Sequence, residues 1–336
     1  MDEKQARKQI VDTGIALLQT GLVARTWGNV SARRDSGRFL ITPSGLDYNT
    51  MEEDDIVLMD ISGDEWSGKH RPSGEKGVHK AAYSVYDDVS FVIHTHQTYA
   101  AAIGLAGFEE LDISEDERQR LGGIAAAGYG LPGSKKLTGT VRGALESGAK
   151  TVLMKHHGAL ICGESMDDAM QKAQLLEEIC RRNCRGQQGR QVRTQIIETG
   201  RKLAGKLQEE YPYSDMLQTP EAVAVSESGE ALTAQLDDMA QMTGYKAPAV
   251  QDSRRVAHAL KAHGAVIVTG LGIAVRAGSR DDFEALMILM QKAAVVKLHT
   301  EALHKKAALG RGESALMNLR YRKKYSKQKD RKGLVK

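Results

Sequence analysis

No run of about 18 consecutive apolar residues occurs in the chain, so an ordinary membrane-spanning helix is not expected. The opening stretch, MDEKQARKQI, is charged where a secretory leader needs an apolar segment, and an unexported, soluble protein is the expectation. Cysteine is scarce too. Cys162, Cys180 and Cys184 form an odd set with no CxxC pair, which argues against a disulfide framework and for a reducing compartment. The expected location is therefore the cytoplasm, with no membrane partner.

What is present is a globular composition. With 336 residues, 41% of them hydrophobic, the chain is long enough for two units, each with a packed core. The net charge of +4 is unevenly spread: from Arg320 to Lys336 nine basic residues stand against one aspartate, +8, so the rest of the chain carries −4. The basicity belongs to a tail, expected to be solvated, with docking to an anionic partner as the alternative. A basic tail alone does not predict nucleic-acid binding.

Residues 3–20 show helical apolar spacing closed by Gly21, and GLVARTWGNVSARR and GRFLITPSG read as short strands joined by turns. Ser73 in RPSGEKGVHKAAYSVY is placed to cap a helix running to about Tyr86. VSFVIHTH reads as a strand feeding a helix in TYAAAIGLAG, SKKLTGTVRGALESG as a helix, TVLMKHHGALICG as two strands about His157 and Gly158, and SMDDAMQKAQLLEEICRRN as a helix capped by Ser165. This alternation predicts an α/β fold, a mixed sheet with helices on its faces.

RGQQGRQ (185–191) reads as a linker between a first domain, 1–190, and a second, 191–320, followed by the basic tail, 321–336. Residues 243–286 can be laid on 127–170, which sets Tyr245 on Tyr129, Pro248 on Pro132 and Asp281-Asp282 on Asp167-Asp168. In that alignment Asp215 and Leu217 take the places of His94 and His96, and Leu271 that of His157, while nothing answers to residues 28–75. The second domain reads as a partial repeat that has lost its chemistry. The paired aspartates, each following a serine at a helix start, favour the helix dipole and need no catalytic role.

His94 and His96 lie two apart in FVIHTHQTYA, so on one strand they point to one face and can converge on one ion. A catalytic zinc site takes three protein ligands and leaves a position open. KHHG supplies the third at His156 or His157, followed by Gly158, which permits close backbone approach. Small hydrogen-bonding residues in WGNVSAR and TPSG can gather round a phosphate, and PSGE adds a helix N-terminus that attracts anions.

Taken together and in this order, GNVSAR (28–33), ITPSG (41–45), PSGE (72–75), HTH (94–96), GYGLPGSKKLT (128–138) and LMKHHGALICG (153–163) resemble the class II aldolase/adducin family, nearest to its fuculose-phosphate aldolases. The resemblance spans about 28–180. It implies a three-layer αβα fold with a mainly antiparallel central sheet, and active sites between neighbouring subunits of a homo-oligomer. By position it implies His94, His96 and His157 as ligands of one zinc or other divalent ion, Glu75 as catalytic acid/base, and Tyr129 as the tyrosine handling the aldehyde-side proton across a subunit boundary. Asn29, Ser44, Gly45 and Ser73, with Gly74 where the family's aldolase has a second serine, match its phosphate cradle.

The implied reaction is metal-dependent cleavage of a ketose 1-phosphate, fuculose 1-phosphate-like, to dihydroxyacetone phosphate and an aldehyde. Pentulose-phosphate 4-epimerases carry aspartate at the position of Glu75, and the glutamate argues against them. Methylthioribulose-1-phosphate dehydratases share the three-histidine site and remain open. An adducin-like scaffold is the non-enzymatic alternative; its basic tail fits, but a scaffold has no use for the histidines and Glu75.

Overall fold

A computed structural model of the chain describes residues 2–186 and 191–333. Its contacts divide it into two units, Met1–Cys184 and Arg185–Lys336. Part of the linker expected at 185–191, residues 187–190, lies outside the described residues, as do the last three residues of the tail.

The first unit runs α1 (Glu3–Gln19), β1 (Asn29–Arg33), β2 (Arg38–Ile41), β3 (Val57–Asp60), β4 (Trp66–Ser67), α2 (Lys76–Val85), β5 (Phe91–Thr95), α3 (Thr98–Leu105), α4 (Glu115–Arg120), β6 (Ile124–Ala127), α5 (Lys135–Glu146), β7 (Thr151–Met154), β8 (Gly158–Gly163) and α6 (Met166–Asn183). Its eight strands form one sheet in the order β4-β3-β2-β1-β5-β8-β7-β6, antiparallel except at the parallel β6–β7 edge. Period-2 alternation along the strands fills two cores. Val30, Ala32, Phe91, Ile93, Ala159 and Ile161 pack with α1, α3 and α6. Val92, Leu160, Cys162, Val152 and Met154 pack on the other side with Val78, Ala81 and Ala82 of α2 and Val141 and Leu145 of α5. The result is the expected α/β architecture, a central, mainly antiparallel sheet with helices on both faces.

The expected capping holds at α6, where Ser165 accepts from Asp168 N–H at 3.2 Å, and fails at α2. That helix begins at Lys76 with Glu75 in the capping position, and the Ser73 hydroxyl accepts instead from the N–H of Glu75 at 3.2 Å. The loop ahead of α2 is drawn away by an antiparallel bridge between Pro43 and Pro72, so Ser73 sits two residues outside the helix.

The second unit comprises α7 (Thr194–Glu210), β9 (Ser214–Leu217), α8 (Pro220–Glu227), β10 (Leu232–Thr233), α9 (Asp237–Thr243), β11 (Lys246–Ala247), β12 (Ala249–Val250), α10 (Val256–Ala262), β13 (Ala265–Val268), β14 (Gly272–Arg276), α11 (Arg280–Ala302) and α12 (Arg311–Gly333). A four-stranded sheet, β12-β13-β14-β9, is parallel at β12–β13 and antiparallel at the other two pairings. The half-sheet β6-β7-β8-β5 of the first unit has the same pattern. The hairpin turns match in detail: His157 N–H bonds Met154 O at 3.1 Å, and Leu271 N–H bonds Val268 O at 2.9 Å.

Strand register corrects two pairings read from the sequence. Thr95 stands opposite Ala159 and Leu217 opposite Ile273, so Met216 and Gln218, one residue on from Asp215 and Leu217, hold the positions of His94 and His96. Ala127 stands opposite Met154 and Val250 opposite Val268, which places Asp252, and not Tyr245, at the position of Tyr129. Tyr245 instead lies under the Arg311 guanidinium at the start of α12. Nor does the basic tail begin a separate element at 321. The backbone of α12 carries it as far as Gly333, and Asn318 of that helix bonds Gln241 O of α9 at 2.8 Å.

Candidate metal centre

Alternation along β5 fixes which way its histidine points. Phe91 and Ile93 enter the core of α1, α3 and α6, so Val92 and His94 face the side of α2. On the neighbouring strand Val30 and Ala32 share the first core, which turns Asn29 and Ser31 toward α2 as well. Along the helix, Glu75, His79 and Tyr83 recur every four residues and form one stripe. Strand and helix thus meet along a polar seam.

Two glycines permit the approach. A Cβ at Gly28, where φ is +84°, would stand 2.6 Å from His94 O. A Cβ at Gly158 would stand 2.0 Å from Thr95 O, so only glycine lets the β7–β8 hairpin close on the end of β5 and deliver His157.

Among the described residues, Glu75, His94, His96 and His157 are the one group of three or more histidine, cysteine or acidic side chains able to hold a metal, with ligand atoms all within 4.8 Å of one another. His94 Nε2 lies 3.1 Å from His96 Nε2 and 3.1 Å from His157 Nε2. β5 ends at Thr95, so His96 reaches the cluster from one residue beyond the strand. Glu75 brings Oε2 to 3.1 Å from His94 Nε2 and Oε1 to 2.7 Å from His157 Nε2.

The donor set fits a divalent ion. His94 Nδ1 donates to Ala159 O at 2.9 Å, leaving its Nε2 lone pair aimed at the other two rings. Converging imidazole lone pairs repel unless a cation lies between them, and three imidazoles with a carboxylate suit zinc-like ions. Glu75 Oε1 is buried and accepts no hydrogen bond despite its nearness to His157, which again leaves a lone pair toward the centre. Burial alone would raise the Glu75 pKa; positive charge at the positions of His157 and His94, which a bound ion would equally supply, outweighs it and holds the carboxyl well below its ordinary value.

Behind the carboxylate runs a chain of buried polar groups that the sequence reading passed over. Asn29 Nδ2 donates to Glu75 Oε2 at 3.3 Å, and Asn29 Oδ1 meets His79 Nε2. Ser31 Oγ lies 2.6 Å from His79 Nδ1 and 2.8 Å from the Tyr83 hydroxyl. Burial pulls the His79 pKa down to about 3, with His94 adding to the fall and Glu75 opposing it. The signal was present as E-x3-H-x3-Y on the helix and N-x-S on the strand.

Of the residues matched to a phosphate cradle, the Pro43–Pro72 bridge sets the loops of Ser44-Gly45 and Ser73-Gly74 side by side, joined by Ser44 N–H to Arg71 O at 2.9 Å and Ser73 N–H to Thr42 O at 3.1 Å. The second of these loops leads into α2. Gly74 is exposed, and a Cβ there would meet nothing within 4 Å. The Asn29 side chain is turned to Glu75 and His79. Tyr129 packs edge-on against His156 of its own chain, ring centroids 4.9 Å apart. His156 has φ +65° and is not one of the clustered histidines, so His157 is the hairpin's member of the group.

The family model described as Class II Aldolase and Adducin N-terminal domain matches residues 8–184. L-ribulose-5-phosphate 4-epimerase UlaF of Salmonella paratyphi B is 32% identical over 197 residues, covering 53% of this chain and 83% of that protein. The structure of YgbL from Klebsiella pneumoniae is 25% identical with a TM-score of 0.50, covering 54% of this chain and 89% of its own. An L-fuculose 1-phosphate aldolase is 30% identical with a TM-score of 0.49, covering 54% and 85%.

Proposed function

Since the chain belongs to the class II aldolase and adducin family, we propose that it is a divalent-metal-dependent aldolase, cleaving a ketose 1-phosphate of the fuculose 1-phosphate type to dihydroxyacetone phosphate and an aldehyde. The observation that carries this is the convergence of His94, His96, His157 and Glu75 where α2 begins. His94, His96 and His157 would hold the ion, zinc by donor type, and when bound it supplies Lewis-acid polarisation of the substrate's carbonyl and neighbouring hydroxyl oxygens.

The chain's own groups do the rest. The start of α2, with its helix dipole, and the loops of Ser44-Gly45 and Ser73-Gly74 hold the phosphate. Glu75, ionised at rest, receives by way of Tyr129 the proton that the substrate hydroxyl releases and delivers it to the carbon left on the phosphate-bearing fragment as the carbon–carbon bond breaks; in the reverse direction it takes a proton from that carbon. Tyr129 accepts the proton of the hydroxyl that becomes the aldehyde, acting in a homo-oligomer with sites between subunits. The matching strand pairings of β12-β13-β14-β9 support the second unit as a partial copy, without metal ligands since Met216, Gln218 and Leu271 stand at the three histidine positions. No helix among the described residues is long and apolar enough to cross a membrane, and cytoplasmic work on a small sugar phosphate is the setting that agrees with this reading.

The epimerase relative favours a second reading, inversion of a pentulose phosphate on the same site. Glu75, where that class was expected to carry aspartate, supports the aldolase. One experiment separates them: load the protein with zinc, confirm one ion per chain and its loss in a His94→Ala/His96→Ala double variant, then supply ketose 1-phosphates and L-ribulose 5-phosphate. Release of dihydroxyacetone phosphate supports cleavage. Inversion without release would replace it with the epimerase, and a metal-free protein inert to every substrate would leave the scaffold.

A further inference from the structure

We infer that Asn29, His79 and Ser31 form a directional hydrogen-bond relay that orients the Glu75 carboxylate at the metal centre, with His79 and Ser31 as positioning residues; this rests on the metal reading above. An ionised carboxylate can only accept, so the amide of Asn29 must turn its NH2 to Glu75 Oε2 at 3.3 Å. Its Oδ1 then faces His79, and that contact needs a proton on His79 Nε2.

A neutral imidazole carries one N–H, which leaves Nδ1 an acceptor. Ser31 must therefore give its single hydrogen to Nδ1 across 2.6 Å, and the Tyr83 hydroxyl must donate to Ser31 across 2.8 Å. Each direction follows from the one before it. Ser31 and His79 are fully buried, Asn29 is 4% exposed and Tyr83 2%, so water does not compete for these groups. Burial also keeps His79 neutral and the Tyr83 phenol protonated, the two conditions the directions need.

Four residues from a strand and a helix are thus tied to one oxygen of Glu75. Were His79 to carry its proton on Nδ1, its Nε2 would accept, the amide would turn over, and Asn29 Oδ1 would face the carboxylate. Two acceptors in contact repel, and Glu75 would leave its place beside His94 and His157. The acceptor-only carboxylate of Glu75 sets the direction against this, and Ser31 supports it by donating to Nδ1. Tyr83 anchors the far end without setting the direction, since Ser31 keeps its hydrogen when Tyr83 is lost.

The test combines two readouts. Long-range proton–nitrogen spectra of the histidine rings in metal-free protein should show His79 protonated on Nε2. Cobalt titration of the substrate-free protein, followed by its visible absorption, should find Ser31→Ala weaker than wild type by about 10–100-fold, because Glu75 belongs to the donor set with the three histidines until substrate is present, and this is the usual effect of losing a group that holds such a donor in place. Ser31→Thr, which restores the hydroxyl, should recover affinity, and Tyr83→Phe should stay within about threefold of wild type while Ser31→Ala does not. A wild-type His79 protonated on Nδ1, or a folded Ser31→Ala with wild-type cobalt affinity, overturns the relay, and the first of these needs no variant to fold. A wild-type protein that takes up no cobalt overturns the metal reading itself, and the tautomer, measured without metal, tells that failure from failure of the relay.

Discussion

Lowering the pH should destabilise the first unit through His79 in particular. The ring is fully buried and its pKa is drawn from 6.5 to about 3. Below pH 6.5 the unfolded chain takes up a proton at this residue and the folded chain does not, so stability present in full above pH 6.5 is lost as the pH falls toward 3. The loss is about 1.4 kcal/mol per pH unit in that window, or about 2.5 kcal/mol between pH 6.5 and pH 4.5. That is a large share of the 5–15 kcal/mol typical of a domain. Other groups titrate over the same range, and comparison with His79→Gln removes them. The chain's two tryptophans, Trp27 and Trp66, both belong to the first unit, so urea unfolding of metal-free protein followed by tryptophan fluorescence reports on that unit. The stability difference, wild type minus variant, should shrink by about 1.4 kcal/mol for each unit of pH lost. Parallel curves for the two proteins from pH 7 to pH 4.5 would show that His79 is protonated in the fold, and the argument from its burial would fail.

Three further outcomes follow from the site. Glu75→Gln keeps the size of the side chain but cannot cycle a proton, so turnover should fall by about 10²–10⁴-fold with the fold retained; wild-type rates would remove Glu75 from the chemistry. Gly74→Ser should be tolerated, because a Cβ there meets open space, and its hydroxyl should tighten inorganic phosphate by about fivefold, the worth of about 1 kcal/mol of hydrogen bond; calorimetry showing weaker binding would place the phosphate elsewhere. Gly158→Ala drives a methyl toward Thr95 O and should cost about 2–4 kcal/mol of stability along with metal uptake; a variant as stable as wild type would show that the hairpin can retreat.

The parts of the site legible in the sequence were those with short, fixed spacings. HTH, HHG and PSGE announced the histidines and Glu75 because each sits at the end of an element, where local chemistry and chain direction coincide. His79, Ser31 and Tyr83 were not announced. Their meaning depends on a strand and a helix lying face to face, 48 and 52 residues apart along the chain, and each looks alone like an ordinary core or surface residue. Ser73 was misread as a cap because the bridge from Pro43 to Pro72, a long-range pairing, decides where α2 begins. In the second unit the matching of Asp215 and Leu217 to the histidines failed by a single residue. Apolar alternation in a four-residue strand fits two registers nearly equally well, and only the pairing with β14 chooses between them.

That choice of register gives Gln218 its task. Its Nε2 donates to Ile196 O in the first turn of α7, at 2.8 Å, and to Leu271 O in the β13–β14 turn, at 3.2 Å. Gly200 leaves the room, for a Cβ there would stand 2.1 Å from the same nitrogen. A helix start and a hairpin turn are therefore clipped together by one uncharged amide, the same two kinds of element that Glu75 and His157 bring together in the first unit. An amide cannot be extracted by a chelator or displaced by acid in the range where imidazoles protonate. Stripping the protein of metal should accordingly soften one half of the chain and leave the other as it was, so that hydrogen exchange would quicken around α2 and the β7–β8 hairpin while α7 and the β13–β14 hairpin keep their protection.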